Sequence, residues 1–379
     1  MATRAVIVDA ARTPIGLKNG ALSRVRVDQL TADLLRGLLA RNPGMAGQAV
    51  DDVVLGCAFP EGIQGMLAAR GVALLAGLPD STPARVINRF CGSSMDALHA
   101  VSQAIECGDI QCAIAAGMED MFAVPMGGYN PDFHPELARA GYYMNMGETA
   151  ENLARDLGIT REDQEAFSAE SHRRALAARE AGLLDREILP VQTPDGMMAH
   201  DEGPRTPDLE KMRSLAPAFL AAGSITAATS SPVSKGAAAL LVCSTEFAAE
   251  HGLTVRAEVV SRGIAGVDPT RMGSGPIPAS AKAMAAAGLD WDAIDAIELN
   301  EAFAAQSLYV IRHGGWPAEK VNLHGGALAL GHPLGASGAR ILCTLLSVME
   351  HRKLRTGLAT LCIGGGQGIA TIVRRPDHD

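Results

Sequence analysis

Two segments of this chain repeat the same order of local signals. In the first, Gly92-Ser93-Ser94 opens a helix-spaced apolar run, a strand follows, and the strand closes on Gly117. In the second, Ala336-Ser337-Gly338 opens an apolar helix, a strand follows, and it closes on Gly364. Self-similarity on this scale points to an internal duplication, two α/β halves packed face to face. Strands alternating with helices imply a largely parallel sheet covered on both faces. With 379 residues, 47% of them hydrophobic, the chain has material for two domains or one large duplicated unit.

Residues 4–10 read as a buried strand, 28–41 as an amphipathic helix stopped by Asn42-Pro43-Gly44, 50–58 as a strand and 66–76 as a helix. A strand over 84–90 runs into Cys91, a helix continues to about Cys107, and 112–117 is a strand. From Met118 to about Ser231 the rhythm changes to Pro, Gly and Met clusters, with helices near 147–158 and 161–181. A long mixed insertion of this kind carries binding function more often than core. A strand at 237–244 returns to the core. The α/β pattern then restarts, with strands at 256–262, 294–300 and 357–363 and helices at 279–288, 301–313 and 338–350. The implied organisation is an N-terminal core of 1–117 plus 232–255, an inserted loop domain of 118–231, and a C-terminal core of 256–379.

A net charge of −9 without a long basic run argues against a nucleic-acid surface. The seven cysteines, at 57, 91, 107, 112, 243, 343 and 362, show no CxxC spacing. That disfavours a zinc site or a disulfide framework and favours a reducing compartment. Met1 leads almost directly into a strand, so no signal peptide is expected, and no apolar run reaches membrane-spanning length. The closing R-R-P-D-H-D is not of the peroxisomal type. These features together lead us to expect a cytoplasmic protein with no membrane span.

Chemistry concentrates in four stretches. In N-R-F-C-G-S-S-M (88–95) Cys91 stands where a strand hands over to a helix N-terminus, whose unpaired N–H groups favour negative charge. A thiol placed there is expected to ionise below the free value of ~8.5. A nucleophile and a buried structural cysteine are both open readings of this segment alone. The glycine-rich N-L-H-G-G-A-L-A-L-G-H-P-L-G-A-S-G (322–338) fixes His332 at a turn with room for a close approach, which favours a site over a solvated loop. C-I-G-G-G-Q-G-I-A (362–370) ends a strand in consecutive N–H groups that can face an oxyanion, but it lacks phosphate-loop spacing. Asn300, in N-E-A-F-A, could cap the following helix or reach a ligand.

Taken together, these stretches resemble the thiolase family in order and spacing. The likeness covers essentially the whole chain, including P-R-T-P-D-L-E-K-M-R-S-L-A-P-A-F and T-A-A-T-S-S. It is nearest to the degradative 3-ketoacyl-CoA thiolases of bacterial fatty-acid oxidation, which share G-S-S-M-x-A-L-H and D-F-H-P. The resemblance implies a thiolase fold, α/β with two duplicated halves layered α-β-α-β-α and an inserted loop domain. It implies Cys91 as the acyl-carrying nucleophile, His332 as its base, and Cys362 as the acid and base toward the departing acetyl-CoA and incoming CoA. His332 with a water on Asn300 would form one oxyanion site, and the N–H groups of Cys91 and Gly364 the other. Ser231, Met146, Met272, Phe303 and Arg205 would contact substrate or CoA. Coenzyme A would be a co-substrate, with no permanently bound cofactor and no metal. A homodimer or homotetramer is implied, and some relatives pair with a hydratase/dehydrogenase subunit.

Lys235 stands where the family usually has Asp or Asn, which is expected to alter charge near the CoA pocket; His324 adds an imidazole eight residues before His332. Rival readings are a biosynthetic acetoacetyl-CoA thiolase and a non-catalytic thiolase-like carrier of acyl-CoA or lipid. A ketoacyl-synthase-type enzyme is disfavoured by the second cysteine.

Overall fold

The structure is a computed structural model that describes residues 3–45 and 50–376. The first half runs β1 (Ala5–Arg12), the short β2 (Gly16–Leu17), α1 (Val27–Ala40), β3 (Asp52–Gly56), α2 (Ala68–Leu75), β4 (Ala84–Ile87), α3 (Ser93–Cys107) and β5 (Cys112–Asp120). The chain then leaves the sheets through α4 (Pro135–Arg139), α5 (Met146–Leu157), α6 (Arg161–Glu180), a small hairpin of β6 (Val191–Thr193) and β7 (Gly196–Met198), and α7 (Leu209–Ser214). It returns through β8 (Ser234–Ser244) and α8 (Thr245–Glu250). The second half runs β9 (Ala257–Gly266), α9 (Pro276–Ala287), β10 (Ala296–Leu299), α10 (Ala304–Gly314), α11 (Ala327–Leu330), α12 (Ser337–His351), β11 (Thr356–Ile363) and β12 (Gln367–Arg374).

The 10-stranded array has the order β10-β11-β12-β9-β1-β8-β5-β3-β4, with β2 beside β8. Read outward from the β1–β9 junction, the two halves match: β1, β8, β5, β3, β4 against β9, β12, β11, β10. In the second half a lone parallel bridge from Ile297 to Val321 takes the fifth position. The junction consists of Val6↔Glu258 and Ile7↔Ala257, so it joins two sheets rather than continuing one. Alternation along each strand divides the core into layers. Val53, Leu55 and Leu241 face α1 and α2 on one outer side. Val54, Leu240, Leu361 and Ile369 face Leu98, Val101, Ile341 and Leu345 of the central α3 and α12. Ile297, Leu358 and Ile372 face α9 and α10 on the other outer side. The result is the pair of α/β halves that the repeated segments implied, layered α-β-α-β-α as the family resemblance implied.

The expectation of a largely parallel sheet is corrected. Pairing is parallel at β3–β4, β3–β5 and β10–β11, but antiparallel at β1–β8, β5–β8, β9–β12, β11–β12 and β1–β9. The cause lies where each half ends. The glycine run 364–366 does more than terminate β11: it reverses the chain into β12, and a tight hairpin can only be antiparallel. Gly365 and Gly366 take φ of +80° and +81°, which side chains with a Cβ rarely adopt. β8 likewise re-enters between β1 and β5 and runs against both.

One close approach joins β5 to the central layer. A Cβ on Gly117 of β5 would sit 2.2 Å from the Gly335 carbonyl oxygen and 2.5 Å from Ser94 Cβ, so glycine lets the 334–336 turn and α3 close on β5. Gly117→Ala is therefore expected to destabilise the fold by ~1–3 kcal/mol through overpacking against backbone. Gly71→Ala, in the middle of α2 with open space around it, should stabilise by ~0.5–1 kcal/mol. Urea midpoints of the two variants moving in opposite directions would bear this out.

Candidate active site

Cys91 lies between β4 and α3, in a 3-10 turn of Phe90–Gly92. Phe90 carries a φ of +42°, a strained value for a bulky residue. Its N–H donates to Asn88 Oδ1 at 2.8 Å, its carbonyl accepts from Ser93 Oγ at 2.6 Å, and its ring meets Phe59 at 5.6 Å. The turn is thus held by its own side chains. A Cβ on Gly92 would lie 2.6 Å from Ile363 Cδ1, so the turn sits close against β11.

The expected acidic thiol is not what this turn produces. Burial pushes the Cys91 thiol up to about 11, although the N–H groups of Gly364 and of Cys91 itself favour the thiolate; the Glu119 carboxylate adds to the rise. The helix begins only at Ser93, and its terminus does not offset the lost solvation. A protonated thiol needs a base to react at neutral pH.

His332 has the chemistry of such a base and is held in a defined tautomer. Its Nδ1 is 2.6 Å from Ser337 Oγ, and that hydroxyl donates its one proton to the Pro333 carbonyl at 2.8 Å. Nδ1 must therefore carry the hydrogen, which leaves Nε2 with a free lone pair. Burial, then the charge of Arg340, pushes the imidazole down to about 3, so it is neutral at pH 7. Asn300 Nδ2 lies 3.4 Å from Nε2. Asn300 does not cap α10, whose N-cap is Phe303; instead its N–H donates to Thr360 O at 3.0 Å, two residues before Cys362 on β11. The 334–336 turn, just after His332, packs on the Cys91 turn.

Burial also raises the Cys362 thiol, with the proximity of Cys91 as the next cause. Cys362 shares an apolar cluster with Met272 and Phe303, against which Met146 and Phe219 pack. A Cβ on Gly364 would lie 3.4 Å from Met146 Sδ and 3.7 Å from Phe90 Cδ2, so this glycine faces both the cluster and the Cys91 turn. Ser231 N–H donates to Ala302 O at 3.0 Å, which sets Ser231 beside Phe303. Of the residues singled out in the sequence, Cys91, Gly364, Cys362, Met146, Met272, Phe303 and Ser231 gather here, with His332 and Asn300 adjoining. Arg205 lines a depression of about 380 Å³ with His172, Asp208 and Lys211.

Lys235 does not bring free charge to a ligand site. It pairs with Asp120 at 2.7 Å, its register partner across β5–β8, and donates to the Leu22 and Val25 carbonyls. His324 is buried with both ring nitrogens unpartnered among the described residues, and its ring lies 5.9 Å from His351. Two positions were missed in the sequence. Ser337 sets the His332 tautomer. Glu119, at the end of β5, accepts from the N–H groups of Ala58, Phe59 and Gly335 and from Gln64 Nε2. The available signal was a pair of carboxylates, Glu119 and Asp120, closing an apolar strand. Among the described residues, no group of three or more His, Cys, Asp or Glu side chains is placed to hold a metal ion, and no helix is long and apolar enough to cross a membrane.

Comparison with known proteins agrees with this architecture. The model of the thiolase N-terminal domain matches residues 5–246 and that of the thiolase C-terminal domain matches 253–375, and the chain belongs to the thiolase family of acyltransferases. Its relatives include the 3-ketoacyl-CoA thiolases of Escherichia coli O1:K1 / APEC and Shigella sonnei (strain Ss046), each 50% identical over 98% of this chain and 99% of theirs. The 3-ketoacyl-CoA thiolase of Citrobacter koseri is also 50% identical, over 98% of each chain.

Two outcomes are expected from these environments. Cys91 is partly exposed and Cys107 fully so, and both should take up iodoacetamide; His332→Ala should slow alkylation of Cys91 by at least ~10-fold at pH 7–8 while leaving Cys107 unchanged, as peptide mapping would show. Burial holds His99, His172, His324 and His332 at about 3, 4, 4 and 3, whereas unfolding frees them to bind protons below ~6.5. Stability present above that pH is therefore lost as pH falls, by up to ~2 kcal/mol per ring at pH 5, and the urea midpoint should drop between pH 7 and 5.

Proposed function

We propose that the chain catalyses CoA-dependent thiolysis of 3-ketoacyl-CoA, giving acetyl-CoA and an acyl-CoA two carbons shorter, in the degradation of fatty or related acyl chains. The observation that carries this reading is the meeting of a protonated thiol under two N–H groups, a neutral imidazole with a free Nε2, and a second buried thiol. Full-length similarity to 3-ketoacyl-CoA thiolases supports the same substrate class.

His332 Nε2 takes the Cys91 proton as the sulfur attacks the keto carbon, and the oxyanion forms against the N–H groups of Cys91 and Gly364. The carbon–carbon bond then breaks, and its electron pair passes into the thioester enolate of acetyl-CoA. That enolate oxygen is held by the Nε2–H of His332 and a water on Asn300, while Cys362 gives its proton to the enolate carbon. Cys362 thiolate next removes the proton of incoming CoA, whose sulfur attacks the acyl thioester over the same pair of N–H groups. Cys91 leaves and recovers its proton from His332. Each donor aimed at developing charge contributes ~3 kcal/mol to such a step. The chemistry closes on two thiols, one imidazole and backbone amides.

Coenzyme A enters as a co-substrate along the face formed by Met146, Ser231, Met272 and Phe303, with Arg205 toward its nucleotide end, and the inserted loop domain of 118–231 is the part that binds it. A homodimer or homotetramer in the cytoplasm is the assembly this reading carries. Cys362→Ala should cut thiolysis by ~10²–10⁴-fold yet still permit acyl loading of Cys91, observed as a mass shift on the intact chain. Thiolysis across a chain-length series of 3-ketoacyl-CoAs tests the substrate class. Rates confined to the four-carbon member would instead support an acetoacetyl-CoA thiolase.

A further inference from the structure

α12 is buried from Ser337 to Met349, yet one face of it is polar: Ser337, Arg340, Thr344 and Ser347 recur at three- and four-residue spacing. Ser337 holds His332, and Thr344 donates to Glu187 Oε1 at 3.1 Å. Between them Arg340 is 1% exposed, and its Nε, Nη1 and Nη2 have no hydrogen-bond partner among the described residues. Glu298 Oε2 lies 3.9 Å from Nη1, beyond direct hydrogen bonding, and it too is unpartnered. Asn300 Oδ1 is a further buried acceptor without a partner. Asn300 directly follows β10, two residues after Glu298, and its N–H extends the β10–β11 ladder to Thr360 O, so the two side chains leave the same face, and α12 packs on β10. The other buried guanidiniums among the described residues are engaged, Arg12 by Glu187 and Asp201 and Arg256 by Glu350. Unpaired donors facing an unpaired carboxylate oxygen at slightly more than bonding distance, with a second unpaired acceptor two residues along the same chain segment, are an arrangement that buried water bridges.

We infer that Arg340 and Glu298 are positioning residues for carbon–carbon cleavage, acting through ordered water that reaches Asn300 Oδ1 and fixes the Asn300 amide with Nδ2 toward His332. The inference rests on the thiolysis reading. Its logic is that an amide has two orientations of nearly equal shape, and only one presents a donor. With Oδ1 toward His332 it would confront the Nε2 lone pair, and the enolate would lose the side chain that holds its water. Transfer of an acyl group between two thiols uses the His332 base and the N–H groups of Cys91 and Gly364 but forms no enolate, so it does not call on the water that Asn300 holds.

The test compares two rates in the full-length protein: thiolysis of acetoacetyl-CoA, and exchange of the acetyl group between acetyl-CoA and isotopically labelled CoA. Arg340→Met should lower kcat for thiolysis about tenfold, with KM for CoA and the exchange rate within about twofold of wild type. Arg340→Lys, which keeps charge and donors, should recover most of the loss, and Glu298→Gln should show the same selectivity more weakly. Equal proportional loss of both rates, or no loss in variants that fold, would overturn the inference. A wild-type protein that exchanges acetyl groups but does not thiolyse would refute the functional reading instead. A crystal structure of the wild type resolving internal solvent tests the same point without any variant. Water bonded to both the Arg340 guanidinium and Asn300 Oδ1 is expected, and a guanidinium in contact with protein atoms alone would sink the proposal.

Discussion

The carboxylate of Glu119 is buried near the end of β5 and accepts hydrogen bonds from two separate segments: the connection from β3 to α2, through the Ala58 and Phe59 N–H groups and Gln64 Nε2, and the turn just after His332, through the Gly335 N–H. Removing a carboxylate from water is expensive, and burial raises its affinity for a proton despite those bonds. The position is tolerable only while both segments remain in place. That condition ties the half carrying Cys91 to the half carrying His332. Gly117, two residues earlier, removes the steric obstacle to the same approach. Attraction and clearance thus act on one short stretch of β5.

The electrostatics of the site follow from dryness rather than from paired charges. Burial raises the Cys91 thiol and lowers the His332 imidazole, so both are neutral at rest. A thiolate–imidazolium pair would have to be desolvated, whereas a neutral pair is not, and the charge appears only when the thiol attacks. Nδ1–H, fixed by Ser337, keeps Nε2 ready to accept a proton and then to donate it. Two amide hydrogens face the Cys91 sulfur, where the proposed reaction would place negative charge.

Local order in the sequence carried most of the elements, because helix and strand periodicities are local. The expected helix at 161–181 is α6, opened by a capping box between Thr160 and Asp163. The expected strand at 112–117 is β5, which continues to Asp120. Partner choice between strands is not local. β12 was hidden behind the glycines of its own hairpin, and with it the mixed character of the sheet. The site residues stood out wherever a turn motif marked them, as at Cys91, His332 and Cys362. The protonation state of Cys91 did not, since the burial that sets it comes from chain more than 200 residues away, Ile363 and Gly364 among it. Lys235 looked like a free charge because Asp120, its partner, is a neighbour only across β5–β8. Glu119 and Arg340 did not stand out in the sequence, because only tertiary packing encloses them.

The β1–β9 junction consists of two residue pairs, and the helices between the sheets do the rest of the joining. Cys91 belongs to one half; Cys362, Asn300 and His332 belong to the other. Catalysis is therefore a property of how the duplicated halves are seated, and a displacement too small to melt any strand already separates the reacting groups. Duplication in this chain supplied two copies of one scaffold whose arms have diverged, one keeping the sulfur that the proposed reaction acylates and the other the groups to which that reaction assigns its proton transfers.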